Sequence, residues 1–300
     1  MKILITGVNG QLGQDVFKEA LKRKHEVIGC DILEKEEIKL NIPYYQLDIT
    51  DSVKVNKLIN ELKPDGIIHC AAWTKVDDGE DNKEIVDKIN HLGTKNIALA
   101  CKDIDAKMIY ISTDYVFDGK GDAAFKADDK KFGPLSIYGQ SKLAGENEVS
   151  SILDKYFIVR IAWAFGLNGN NFVKTMLNLS KTKKEIRVVD DQIGTPTYTY
   201  DLAPLLIDML ESDKYGYYHA TNSGGYISWY EFAKEIFKLA SKDVKVIPVS
   251  TNEYGLTKAP RPLNSRLDKN KLVENGFKLL PTWSDALKRY LKEIGELNNN

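Results

Sequence analysis

The run Lys2 to Thr6 (KILIT) passes without a linker into Gly7-Val8-Asn9-Gly10-Gln11-Leu12-Gly13, then into a helical pattern reaching about residue 22. Strand, glycine turn and helix in that order admit few folds, because parallel strands must be joined by long crossovers, usually helices. The glycines allow a tight turn with close backbone approach, so a pyrophosphate can rest on unpaired N–H groups at the helix start. Alone, the Gly-x-x-Gly-x-x-Gly spacing is weak evidence, since it differs from the better-known Gly-x-Gly-x-x-Gly. A second apolar run over 26–30 strengthens it by ending in Asp31, where an acidic side chain meets an adenosine ribose. Taken by itself, Asp31 reads equally well as a turn residue.

The same alternation continues. Residues 45–48 suggest a third strand ending at Asp48-Ile49, and a helix capped near Thr50 or Asp51 closes before Pro64. The run 66–70 has the continuous apolar character of a strand covered on both faces, and Ala71-Ala72-Trp73-Thr74 leave its end with residues small enough for a cofactor to lie close. A helix over 90–101 and a strand over 107–112 follow, and the latter delivers Ser112-Thr113-Asp114-Tyr115. Ligands of open parallel sheets bind beyond the carboxyl ends of the strands, which puts Thr113 in the crevice of the glycine turn. A polar loop over 118–133 precedes a helix carrying Tyr138-Gly139-Gln140-Ser141-Lys142. Four residues of separation bring the Tyr138 phenol and Lys142 ammonium onto one helix face. A nearby cation lowers the affinity of a phenol for its proton, making Tyr138 a candidate acid.

The rest reads as a second, smaller unit. A strand over 156–162 leads to Trp163, and helices are expected to about residue 180 and after Thr199 or Asp201 as cap, with Pro204 in the first turn. Strands are expected over 186–189 and 216–220, and Ser228 with Glu231 forms a capping box. His219 reads as structural, and the polar tail 293–300 is expected to fray. The fold class is α/β: a Rossmann-type doubly wound parallel sheet over 1–165 with a smaller mixed α/β C-terminal substrate domain over 166–300. The chain is expected to cross back to the first domain around 186–205.

Composition bounds the partners. The 300 residues are 43% hydrophobic with a net charge of −1, which gives no electrostatic reason to expect nucleic acid or an anionic membrane. No apolar run approaches the roughly 20 residues that span a bilayer, and the chain starts without a signal peptide, so a cytoplasmic location is expected. Cys30, Cys70 and Cys101 lack metal-ligand spacing and read as buried thiols in a reducing compartment.

With TGVNGQLG, AAWT, STDYVFDG, YGQSKLAGE, RIAWAFG, NNFVKTML, DDQIGTPT, GYYHATNSGG and RPLNSRL in this order, the chain resembles the extended short-chain dehydrogenase/reductases, and within them the dTDP-4-dehydrorhamnose reductase family. The resemblance implies Thr113, Tyr138 and Lys142 as the catalytic group, with Tyr138 the proton donor. It implies NADH or NADPH held by Gly7, Gly10, Gln11, Leu12, Gly13, Asp31, Asp48, Ile49, Ala71, Ala72, Trp73 and Thr74, together with Tyr138 and Lys142. The dTDP-sugar then meets Thr113, Asp114, Tyr115, Val76, Trp163 and Asn171. Arg261 or Arg266 could hold its diphosphate in a bidentate fork, solvated arginines being the plainer reading. Asp31 would repel a ribose 2′-phosphate, which favours NADH, although the family includes members that accept both cofactors.

The implied reaction is reduction of a 4-keto group to give dTDP-L-rhamnose, a surface-polysaccharide precursor. Related dehydratases place Glu after the Asp, where this chain has Tyr115, and epimerases commonly have small Ser or Ala residues at the level of Thr113-Asp114. Both differences favour reduction. A homodimer is expected, and some relatives hold Mg2+ at a dimer contact, though no ligands for it stand out here. A different class of answer is a dinucleotide-binding regulatory subunit of methionine adenosyltransferase, because relatives of this family act in that way without turnover.

Overall fold

The computed structural model describes residues 1–38, 40–255 and 257–298. Seven parallel strands form its central sheet: β1 (Lys2–Thr6), β2 (Glu26–Asp31), β3 (Tyr44–Gln46), β4 (Gly66–His69), β5 (Lys107–Thr113), β6 (Tyr156–Ile161) and β7 (Gly216–His219). Their spatial order is β7-β6-β5-β4-β1-β2-β3. The chain winds outward from β1 in one direction and from β4 in the other, so a crevice opens where the strand order reverses. This is the Rossmann-type arrangement expected.

Helices cover both faces, which is why Ile3-Leu4-Ile5 of β1 and Ile67-Ile68 of β4 are consecutive apolar residues rather than alternating ones. On one face, the helices Gln11–Lys22 and Thr199–Leu210 share a core with Ile3, Ile5, Ile68 and Val159. On the other, the helices Ser52–Leu62, Thr94–Asp103 and Ile137–Ile152 enclose Leu4, Ile67, Met108 and Ile158. A third core belongs to the C-terminal layer, where Phe165, Met176, Phe232 and Tyr290 pack together. There Glu185–Val189 pairs in parallel with Lys245–Val249. Ser228 opens the helix Trp229–Leu239 with the capping box expected of it.

Several local expectations need correction. Neither Thr199 nor Asp201 caps the helix Thr199–Leu210; the cap residue is Tyr198, whose N–H donates to Asn222 Oδ1 at 2.7 Å. Pro204 therefore lies in the second turn, where its missing N–H leaves a carbonyl of the preceding turn without its helical donor. Within the stretch 186–205 expected to cross back, 185–189 pairs in the C-terminal layer, while the helix Thr199–Leu210 packs on the first core and leads to β7. The helix expected over 90–101 begins as a π-turn, Lys88–Gly93. The tail is ordered as far as it is described: Glu296 and Leu297 N–H groups both donate to Leu291 O, and Asn298 N–H to Leu239 O at 3.1 Å. Residues 299 and 300 lie outside the described residues.

Candidate active site

The glycine turn has the geometry its composition demands. Gly7 has φ +64°, and a Cβ on it would come within 2.7 Å of Ala71 N. A Cβ on Gly13 would sit 2.2 Å from Gly7 O, so only glycine lets the helix start fold back over the turn. Gly10 caps the helix with no side-chain hydrogen bond, leaving the first N–H groups free for an anion.

Beside this turn lies a cavity of about 500 Å³, lined by Gly7, Gly10, Asp31, Asp48, Ile49, Ala71 and Ala72 among others. The Asp31 carboxylate accepts from Asn9 N at 3.1 Å and Ile32 N at 2.8 Å, which aims it along the rim. Asp48 accepts from Thr50 N at 2.8 Å. Glycine turn, acidic rim and small floor fit the adenosine and pyrophosphate of a dinucleotide.

Five other expected cofactor residues sit differently. Leu12 points into the core and Gly13 packs on the turn, so each offers only its backbone. Gln11 turns away toward the C-terminal layer, its Oε1 accepting from Asn171 Nδ2 at 3.2 Å. Trp73 is pinned through its backbone, N to Asn90 Oδ1 at 2.8 Å and O from Asn90 Nδ2 at 3.1 Å. Thr74 is exposed just beyond it.

The catalytic candidates meet at the end of β5. The Thr113 hydroxyl lies beside the Tyr138 phenol and donates to Asp114 Oδ1 at 3.0 Å. Tyr115 meets Tyr138 edge to face, with ring centroids 5.6 Å apart. Gly139 explains part of the approach, because a Cβ there would lie 2.4 Å from Tyr115 O. Ser136 caps the helix by accepting from Gly139 N at 3.1 Å.

The electrostatics reverse one expectation. Burial pushes the Tyr138 phenol up rather than down, opposed by the neighbouring Thr113 hydroxyl and reinforced by Asp114. The Lys142 ammonium instead stands over the Tyr110 ring, 4.0 Å from its centroid. Burial pulls Lys142 down to about 7, against the attraction of Glu146. Asp114, 2% exposed, is pushed up to about 6 by burial, and its Oδ2 has no hydrogen-bond partner.

Trp163, at φ +51°, stacks on Trp229 with centroids 3.8 Å apart and also packs against Gly194. Val76 opens the short helical turn Val76–Gly79. Asn171 caps the helix Phe172–Ser180 and donates to Gly166 O and Tyr290 Oη as well as Gln11, so its amide is already engaged. Arg261 is held in a fork by Asp77, at 3.0 and 2.8 Å, while Arg266 donates to Asn264 Oδ1 at 3.0 Å. His219 is buried against Arg160, as a structural histidine would be.

Asn90 and Ser141 escaped notice in the sequence. Asn90 Nδ2 reaches both Trp73 O and Ser141 Oγ, tying the strap after β4 to the Tyr138 helix. The Asn90–Ser141 partnership spans 51 positions and leaves no local spacing to read. Among the described residues, no cluster of three or more His, Cys, Asp or Glu side chains is arranged to hold a metal.

A family model described as the RmlD substrate binding domain matches residues 1–296. The spore coat polysaccharide biosynthesis protein SpsK of Bacillus subtilis is 39% identical over 292 residues, covering 97% of each chain. A solved dTDP-4-dehydrorhamnose reductase from Clostridium acetobutylicum has a TM-score of 0.91 and 44% identity, covering 98% of this chain and 100% of its own. Another, from Bacillus anthracis and in complex with NADP, has a TM-score of 0.89 and 42% identity, covering 97% of this chain and 99% of its own. The resemblance read from the motifs thus extends along the whole chain, which belongs to the RmlD substrate binding domain family.

Proposed function

We propose that this protein is an NAD(P)H-dependent dTDP-4-dehydrorhamnose reductase that forms dTDP-L-rhamnose for surface-polysaccharide synthesis. The observation that carries the reading is the meeting of Thr113, Tyr138 and Tyr115 at the C-terminal end of β5, two strands from β1 and its glycine turn. Relatives at 44% and 42% identity bear the reductase name, and one was solved with NADP.

The glycine turn and the Asp31, Asp48, Ile49, Ala71 and Ala72 lining would hold the dinucleotide. When bound, its reduced nicotinamide supplies hydride to the 4-keto carbon. Tyr138, kept protonated by burial, gives its proton to the carbonyl oxygen as negative charge develops there. Thr113, redirecting the hydroxyl proton that it gives to Asp114 in the structure, donates a hydrogen bond to the same oxygen and holds it in line. Lys142 in its charged form steadies the phenolate left behind, and its long stem can also reach ribose hydroxyls. Asp114, Tyr115 and Trp163 frame the sugar. A homodimer and a cytoplasmic address, both implied by the resemblance, belong to the same proposal.

The test is to mix the protein with dTDP-4-dehydrorhamnose and NADH or NADPH and follow the absorbance of the reduced cofactor. Tyr138→Phe is expected to keep dinucleotide affinity and lose roughly 10²- to 10⁴-fold in turnover. Full activity in that variant removes Tyr138 as the acid. No oxidation with either cofactor, combined with tight binding to methionine adenosyltransferase, would favour the regulatory-subunit alternative.

A further inference from the structure

The helix that carries Tyr138 and Lys142 buries a third polar residue that the chemistry above leaves unused. Glu146 lies one turn past Lys142, so residues 138, 142 and 146 share a face, and it is 0% exposed. Its Oε1 accepts from Ser112 Oγ at 2.5 Å and Arg160 Nε at 2.8 Å, while Oε2 accepts from Arg160 Nη2 at 2.7 Å. Arg160 donates onward to Ala127 O at 3.0 Å, and its guanidinium lies 4.9 Å from the ring centroids of both Phe117 and Tyr217. A buried ion pair of this sort gives little net stability, because desolvating two charges offsets their attraction. Position is the better account of this one, since Ser112 is the neighbour of Thr113.

We propose that Glu146 is a positioning residue for the reductase, keeping Lys142 charged and clamping the end of β5 to the helix that bears Tyr138. The proposal rests on the reductase reading. The groups facing Lys142 are His69 and Cys70 at the end of β4, Tyr110 of β5, and Glu146 on its own helix. Burial holds His69 neutral by lowering it to about 3, keeps Cys70 a thiol by raising it to about 12, and pushes the Tyr110 phenol well up. Among these groups, the negative charge that supports the ammonium comes from the ion-paired Glu146 carboxylate. Removing it also uncovers Arg160, whose charge then repels Lys142 through the buried interior.

The test follows the titration of Lys142 by NMR in protein isotopically labelled at its lysine side chains, with the signal assigned by its loss in Lys142→Arg. In Glu146→Gln the Lys142 midpoint is expected to fall by roughly one pH unit or more. The alkaline limb of kcat/KM should move down with it, while KM for the sugar nucleotide changes little. The double variant Glu146→Gln/Arg160→Gln leaves neither charge unpaired and should give a midpoint between those of Glu146→Gln and the wild type. It also carries the test if the single variant does not fold. An unmoved midpoint in either folded variant overturns the proposal. A wild-type protein that oxidises neither cofactor with the sugar overturns the reductase reading instead, and the NMR midpoints still decide whether Glu146 supports Lys142.

Discussion

Lys142 is 3% exposed, and its charge is costly to keep there. Burial lowers its pKa from the ordinary 10.5 to about 7, so the unfolded chain binds a proton that the folded chain has lost between those values. Stability therefore rises with pH across that window, and below about 7 the whole cost of the buried ammonium is felt. Lys142→Met is expected to melt higher than the wild type at pH 6, by roughly 2–4 °C per kcal/mol relieved, and to lose turnover. Calorimetry from pH 6 to 10 checks this, since the advantage must shrink as pH climbs. Asp31 sets a second expectation. With its oxygens fixed by Asn9 and Ile32 N–H groups, its charge faces any 2′-phosphate, so Asp31→Ala should raise affinity for NADPH relative to NADH by about tenfold. Equal affinity ratios for variant and wild type, measured by fluorescence titration, would contradict this.

At the scale of elements, the helix Ile137–Ile152 is pressed onto the turn after β5 because Gly139 offers no Cβ. Gly139→Ala would push the helix off Tyr115 O, part Thr113 from Tyr138, and destabilise the protein by about 1–3 kcal/mol. Turnover should fall more than dinucleotide affinity, as steady-state kinetics beside cofactor titration would register. These elements were legible because each is a local event: β-branched runs, a glycine turn, Asp51 as a cap and the Ser228 capping box all act within a few residues. The Pro204 helix was misjudged because its cap is Tyr198, fastened by Asn222 from 24 positions away. The direction of the Tyr138 shift was equally hidden. Helical spacing puts a cation on the same face, yet burial and the Tyr110 ring decide what that cation does.

At the scale of the whole molecule, one tie between the two layers runs through Asp77. Asp77, just after the cavity floor, accepts from Lys258 N at 3.1 Å and Ala259 N at 2.9 Å and grips Arg261; Lys258 pairs with Asp81. Asp77→Asn should loosen this strap and raise KM for the sugar nucleotide about tenfold, a modest effect because the pair is partly solvated. Dinucleotide affinity should hold, and parallel titrations of the two ligands separate the effects. The sequence suggested Arg261 as a diphosphate ligand, but its contact with Asp77 pairs segments 184 positions apart and could not be foreseen from spacing. The first core has a longer reach still. Leu206, Leu272, Phe277 and Leu280 pack in it beside Ile3 and Val16. A ribosome translating this chain consequently cannot finish the nucleotide-holding half when that half has been synthesised. The N-terminal strands stay partly uncovered until Leu272, Phe277 and Leu280 emerge to close the interior around them.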